Sequence, residues 1–487
     1  MRCAILPASA HLSAPAMSLH LASIVRRLSV ALLLSTLGAS AAMGQSWDER
    51  HVAAIDSIAE GALEGTLAGV PPVAGLSIGV AQDGVPVLMR GYGMADLDAT
   101  IPATDSTIFR IGSLTKTFTA SVVLQLVDEG RLALEDDIRT YVPGAPTHGQ
   151  RVTIAQLLNH TSGIPSYTNR PEYPWQTAEA RSHDEMLGQI AGDSLDFAPG
   201  AAYSYTNSGY YLLGLLIEER TGRSYAEALR ARLFEPLGLT DTQYCPDAPD
   251  GPTHAQGYRP SPFARSPQPA SAISMTQPFA AGALCSSVRD LLAWMAALQT
   301  GAVLSDALYE AMRTPTITTA GDMVRYGYGL QATERFGRAY MGHGGGINGF
   351  AAQWGHFPEE GWTLVVLANT EGTAAFQVEE AIARLLLNAA PATQPMDLGL
   401  SAEERRPYEG TYAIGPLNIR VFSHEEVLWA QGDGQPAFRL MAQGGGVFLA
   451  HADPSIRLVF TRNGETASEL TLHRGRQLFQ GPRLDDE

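Results

Sequence analysis

Strand-like segments stand at both ends of the first 390 or so residues, with a long helical stretch between them, and that order limits the folds open to the chain. After a helix near residues 50–66, GLSIGVAQDGVPVLMRGYG (75–93) reads as two strands about an Asp83-Gly84 turn, since Asp-Gly between alternating apolar residues favours a tight hairpin. From about 116 to 310 helical patterns and Pro/Gly-rich loops dominate, including YLLGLLIEERTG and DLLAWMAALQTG, with Gly222 and Gly301 as helix stops. Strands return in FAAQWGHF and WTLVVLANT, and the helix VEEAIARLLLNAA follows. The predicted class is α/β: a mixed, helix-backed antiparallel sheet with a helical subdomain. PATQPMDLG (391–399) has the composition of a linker. Beyond it, from 408 to about 480, seven or eight short alternating stretches such as YEGTYAI, LNIRVFS and IRLVF, with a turn at Asn463-Gly464, predict a small C-terminal antiparallel β-barrel.

The first 44 residues are expected to lie outside the fold. Arg26 and Arg27 precede the apolar run Leu28 to Leu37, and small residues follow to Gly44, the pattern of a secretory signal cut after Ala41 or Gly44. That run is too short for a stable bilayer anchor, so a periplasmic or secreted protein with no integral anchor after cleavage is expected. The domain reading is therefore leader 1–44, main domain 45–390, linker 391–407 and barrel 408–487. The formal charge is −17, and losing Arg2, Arg26 and Arg27 with the leader makes it more negative still. Nucleic acid is excluded as a natural partner. Cys245 and Cys285 remain after the leader's Cys3 is removed, in an oxidising compartment where a disulfide or two buried thiols are both open. No metal-ligand spacing appears, because His160, His343 and His356 stand singly, and no cofactor is expected.

The segment IGSLTKTFTA (111–120) carries the chain's one lysine, Lys116; every other basic residue among the 33 Lys plus Arg is Arg. Arg cannot lose its proton at any ordinary pH, whereas a desolvated lysine can act as a base. Ser113 stands three residues earlier, on the same helical face, which pairs a nucleophile with a base. Phe109, Ile111, Leu114, Phe118, Val122, Val123, Leu124 and Leu126 make the surrounding helix apolar nearly all round, so the amine is predicted to be buried.

An acyl-transfer site needs more: a proton carrier, a group to position the substrate, and an oxyanion hole. Tyr205 and Asn207 offer a phenol and an amide two residues apart, on an expected loop. In MGHGGGINGF (341–350), His343 precedes three glycines just before an expected strand, where a substrate can approach backbone N–H groups closely.

Taken together and in order, Ser-x-x-Lys, Tyr-x-Asn and His-x-Gly resemble the penicillin-recognising serine hydrolases: class C beta-lactamases, D,D-peptidases, D-aminopeptidases and related esterases. LLNHTSGIP (157–165) and AGALCSSVRDLLAW (281–294) are similar to that family as well, and the resemblance covers about residues 50–390. The barrel resembles the lipocalin-like domain appended to some members. The resemblance implies Ser113 as nucleophile, Lys116 as its base and Tyr205 as proton carrier to the leaving group. It implies Asn207 as a contact to the substrate amide and His343 on the carboxylate side of a substrate site with Gly345 and Gly346. The oxyanion would lie between the N–H groups of Ser113 and Gly346, and His160 is taken as structural. Beta-lactamases of this kind usually carry Lys where His343 stands, and an imidazole is only partly charged near neutrality. The departure favours an exported hydrolase of D-amino-acid peptides, amides or small esters, with a true beta-lactamase or a non-hydrolysing cell-wall sensor as the alternatives.

Overall fold

A computed structural model describes residues 47–487, apart from 68, 171, 174–175, 193, 249–250, 262–265, 391–396, 415–416, 434–436, 452–455, 475–476 and 485–487. The expected leader and most of the expected linker core fall outside the described residues.

The chain enters through helix α1 (Glu49–Glu64), capped by Asp48, whose carboxylate accepts from the N–H groups of Arg50 and His51. Strands β1 (Gly75–Gln82) and β2 (Val85–Asp96) then form the predicted hairpin. Asp83 and Gly84 both have positive φ, as a primed two-residue turn requires. A short β3 (Ile101–Pro102) closes this edge. After the helical region come β4 (Gln331–Arg335), β5 (Arg338–Ile347), β6 (Phe350–Phe357) and β7 (Trp362–Ala368). The sheet order is β4-β5-β6-β7-β1-β2-β3, so the last strand of the returning set pairs with the first of the chain. All of the pairings are antiparallel.

Both faces of this sheet are covered, which is why WTLVVLA is buried at every position instead of alternating. Leu76, Ile78, Val80, Leu364 and Val366 point to one side, against α1 and the late helix α5 (Ala374–Leu386). Val365 and Leu367 point to the other, toward the helical region. There Gly79 lets helix α4 (Val288–Gln299) come close: a Cβ would stand 3.0 Å from Leu292 and 3.3 Å from Val288. Helix α2 (Thr115–Asp128) runs through the middle of the helical region with eleven of its residues buried. Its Phe118 ring stacks on Trp294 at 4.0 Å, and its buried hydroxyls are satisfied locally, Thr117 and Ser121 donating to the carbonyls of Leu114 and Thr117.

The C-terminal strands, β8 to β15, run Gly410–Ile414, Leu417–His424, Val427–Gly432, Phe438–Gly444, Val447–Ala450, Ile456–Arg462, Ala467–Arg474 and Gln477–Pro482. They pair in sequence order, and a bridge between Tyr412 and Arg483 brings the last strand back to the first, giving a nearly closed eight-stranded barrel. Tyr408, Tyr412, Phe448 and Phe460 fill its interior edge to face, a core distinct from that of the main sheet. Gln477–Pro482 is the strand that sequence reading had not separated. Cys245 and Cys285 form a disulfide with Cα atoms 5.2 Å apart, closing the choice left open by the sequence.

Candidate active site

Ser113 is not in the α-helix itself. It sits in a 3-10 turn, Gly112–Leu114, that leads directly into α2. Gly112 makes the turn possible with φ +49°, and a Cβ there would stand 2.9 Å from the Gly346 carbonyl oxygen. The turn is thus laid against β5 by the absence of a side chain. The tight turn followed by the first turn of α2 brings Lys116 Nζ within 3.1 Å of Ser113 Oγ.

The lysine is fully buried. Its Nζ has two other partners, Asn207 Oδ1 at 2.8 Å and the Ala281 carbonyl at 2.7 Å. Both are oxygens that only accept, so they take two N–H bonds of the amine. A neutral amine then has its lone pair left for the third direction, where the Ser113 hydroxyl can donate to it. Burial pushes the Lys116 amine well below its ordinary value, which favours that neutral form. The rings of Tyr205 and Tyr210 lie 4.9 and 5.4 Å from Nζ.

Tyr205 lies in a loop, Thr206 is the extended N-cap, and Asn207 is the first residue of helix α3 (Asn207–Thr221). The expected loop thus runs directly into a helix, and the change of backbone direction turns both side chains to Ser113 and Lys116. Desolvation drives the Tyr205 phenol above its usual value, an effect opposed by its hydrogen bond with Ser113. Asn207 is locked: its N–H donates to Ser166 Oγ at 3.1 Å and its Nδ2 to Thr168 Oγ1 at 3.1 Å, while Oδ1 takes the lysine. Ser166 and Thr168 escaped the sequence reading although they directly follow HTSGIP, since a hydroxyl in a loop carries no distinguishing signal.

The glycine run precedes β6 as expected, and it also lies within a strand of its own, β5. Gly345 is required there because a Cβ would meet the Ile111 carbonyl at 2.1 Å, so close approach overrides the usual cost of glycine in a strand. Gly346 pairs with Ala351, which in turn pairs with Ala368. The phase of the ladder is set by the Asn369 N–H donating to the Gly75 carbonyl. Alternation then directs the bonds of Ala351 toward β7 and turns the Gly346 N–H away from β6, to the side of Gly112 and Ser113.

His343 is nearly fully buried. Its Nδ1–H donates to the Gly344 carbonyl at 2.6 Å, and Nε2 accepts from the Tyr326 hydroxyl at 2.9 Å. Burial and the neighbouring Lys116 lower its pKa to about 3, so the imidazole is neutral. His343 thus lies within β5, on the face that Gly345 turns to Ile111 and beside Tyr205, but it is not among the residues that line the cleft. Tyr326, which fixes it, had no sequence signal.

The cleft itself is a cavity of ≈ 240 Å³ that includes Ser113, Asn207, Gly346 and Asn348, with Tyr167, Tyr173, Ile273 and Pro278 as its apolar wall. None of its described lining residues is charged. No group of His, Cys, Asp and Glu able to hold a metal occurs among the described residues.

A serine facing the lone pair of a buried amine, beside a phenol and a locked amide under a glycine strand, defines a serine hydrolase. The chain belongs to the Beta-lactamase family, whose profile matches residues 64–389. It is 29% identical over 373 residues to a D-aminopeptidase of Gluconobacter oxydans, 72% of this chain but only 65% of that protein. A penicillin-binding protein of Bacillus subtilis is 26% identical over 422 residues, covering 81% of this chain and 91% of its own length. Among solved structures, the D-amino acid amidase of Ochrobactrum anthropi SV3 superposes with a TM-score of 0.60 at 26% identity, over 70% of this chain and 98% of the amidase. No described helix is long and apolar enough to cross a membrane.

Proposed function

We propose that the protein is an exported hydrolase that forms an acyl-enzyme at Ser113 and acts on amides, peptides or small esters of D-amino acids. The observation that carries this reading is the arrangement at Lys116: two carbonyl acceptors hold its N–H bonds and leave the lone pair for the serine proton. Ser113 Oγ attacks the substrate carbonyl as its proton passes to Lys116. The developing oxyanion is held by the N–H groups of Ser113 and Gly346, which cost no reorganisation because turn and strand already fix them. Asn207 binds the substrate amide. Tyr205, kept as a phenol by burial, donates to the leaving nitrogen and recovers its proton from Lys116; water then releases the acyl group by the reverse path.

The substrate class is supported by the names of the relatives and by the uncharged cleft. A free carboxylate would call for a cation at its binding site, and His343 is neutral and engaged by protein on both nitrogens. Export is supported by the leader pattern and by the Cys245–Cys285 disulfide. The test is covalent labelling with an acylating probe, together with turnover of D- and L-amino-acid amides, p-nitrophenyl esters and nitrocefin. We expect labelling and D-amide turnover in the wild type and neither in Ser113→Ala. Labelling that survives in Ser113→Ala would refute the nucleophile; nitrocefin turnover above that of every amide would make the protein a beta-lactamase, and labelling without release of product would make it a sensor.

A further inference from the structure

His160 lies behind the Tyr205 segment and grips it on both sides. Its backbone carbonyl accepts the N–H of Ser204 at 3.1 Å, and its ring Nδ1 accepts the N–H of Thr206 at 3.3 Å. These are the two residues flanking Tyr205. The imidazole ring itself packs on the Tyr205 ring, with centroids 4.3 Å apart. One residue thus holds the backbone on both sides of the phenol, by its carbonyl before it and by its ring after it, and the same ring supports the phenol.

The backbone of His160 is left-handed, with φ +61°, a conformation that costs a residue with a Cβ and is kept only where the surroundings impose it. Since Nδ1 accepts, the ring proton is on Nε2. That atom is buried with no hydrogen-bond partner among the described residues, which is a second cost. Two local penalties at one residue, both spent on the segment carrying the phenol, are more than packing needs.

We propose that His160 is a positioning residue that fixes the Tyr205 phenol against Ser113, an inference that rests on the proton-carrying role given to Tyr205. The bond from Thr206 requires an unprotonated Nδ1. The titratable groups packed on the ring are Tyr203 and Tyr205 from the segment before α3, Tyr210 from α3 and Tyr326 from the loop before β4, none of them an anion that would favour an imidazolium. Burial, Lys116 and His343 all push its pKa down. The unprotonated ring that the grip requires is therefore the favoured form.

The test is a set of kcat and KM values on an amide substrate, with a Tm for each protein, for wild type, Tyr205→Phe, His160→Leu, His160→Asn and the double variant His160→Leu/Tyr205→Phe. His160→Leu should lower kcat by roughly ten- to hundredfold with KM little changed, the effect of a misplaced catalytic group. Asn tolerates the left-handed backbone and can offer Oδ1 where Nδ1 stood, so His160→Asn should recover most of that loss. In the Tyr205→Phe background, His160→Leu should cost less than about twofold more, because the two residues act as one unit. Full additivity of the two losses, an unchanged kcat in His160→Leu, or no advantage of Asn over Leu at equal Tm would each overturn the inference. If His160→Leu is insoluble, His160→Gln, which shifts the acceptor to the Nε2 position, takes its place in the cycle with the same expected outcomes. Wild-type turnover by Tyr205→Phe would instead remove the role of Tyr205 and this inference with it, whereas a deficient Tyr205→Phe beside an active His160→Leu removes this inference alone.

Discussion

At the scale of single residues, Lys116 is the base of the proposed chemistry, and being the chain's only lysine it can be watched without assignment. Protein carrying isotope-labelled lysine should give one side-chain signal titrating well below the ordinary value of about 10.4, because burial disfavours the ammonium. The base is the neutral form, so kcat/KM should rise with pH as this amine loses its proton, and the kinetic midpoint should match the titration. The same depression makes the unfolded chain bind more protons between the two pKa values. Stability from this group is therefore fully present above the unfolded value and is lost as pH falls through the folded one. Lys116→Arg should fold and acylate very slowly; wild-type acylation by that variant would show that no proton acceptor is needed here. Ser113, Lys116, Tyr205 and Asn207 could be read from the sequence because reactive residue types recur at short, fixed spacings. Ser166, Thr168 and Tyr326 could not, since each acts through a contact made only by folding, and hydroxyls and phenols are common in loops.

At the scale of elements, the main strands, the late helix and the Asp83-Gly84 turn were legible because apolar runs, period-two alternation and glycine stops are local signals. The glycine segment at 344–346 leads into β6 as expected, but that it is itself part of β5 was not legible, for a physical reason. Glycine argues against a strand on propensity, and only the Ile111 carbonyl against Gly345 explains its place there. The two neighbouring glycines should then respond differently. Gly345→Ala must push β5 away from the Gly112–Ser113 turn, costing about 1–3 kcal/mol as overpacking does and lowering the acylation rate out of proportion to the loss of Tm. Gly346→Ala has nothing within 4 Å of its Cβ, so its thermal unfolding should match the wild type. Equal Tm values for the two variants would show that β5 is not pressed against the turn.

At the scale of the whole molecule, the barrel has its own aromatic core, and the hydrophobic clusters of the sheet end before it begins. We accordingly propose that 45–390 and 408–487 are separate domains joined by 391–407. Removing residues 400–487 should leave a soluble protein that an acylating probe still labels at Ser113. Insoluble product, or soluble product that no longer labels, would mean that the barrel completes the fold of the hydrolase.

With its one ε-amino group sealed in the core and every surface cation a guanidinium, the folded protein offers amine-directed reagents nothing but its N-terminus. Aldehydes with a reductant, which spare the Ser113 hydroxyl, should therefore modify only that amine, and the lysine can react only when the helical region opens far enough to admit the reagent. The rate at which the lysine adduct accumulates counts opening events around Lys116, which makes the buried lysine a built-in clock for the local breathing of this fold.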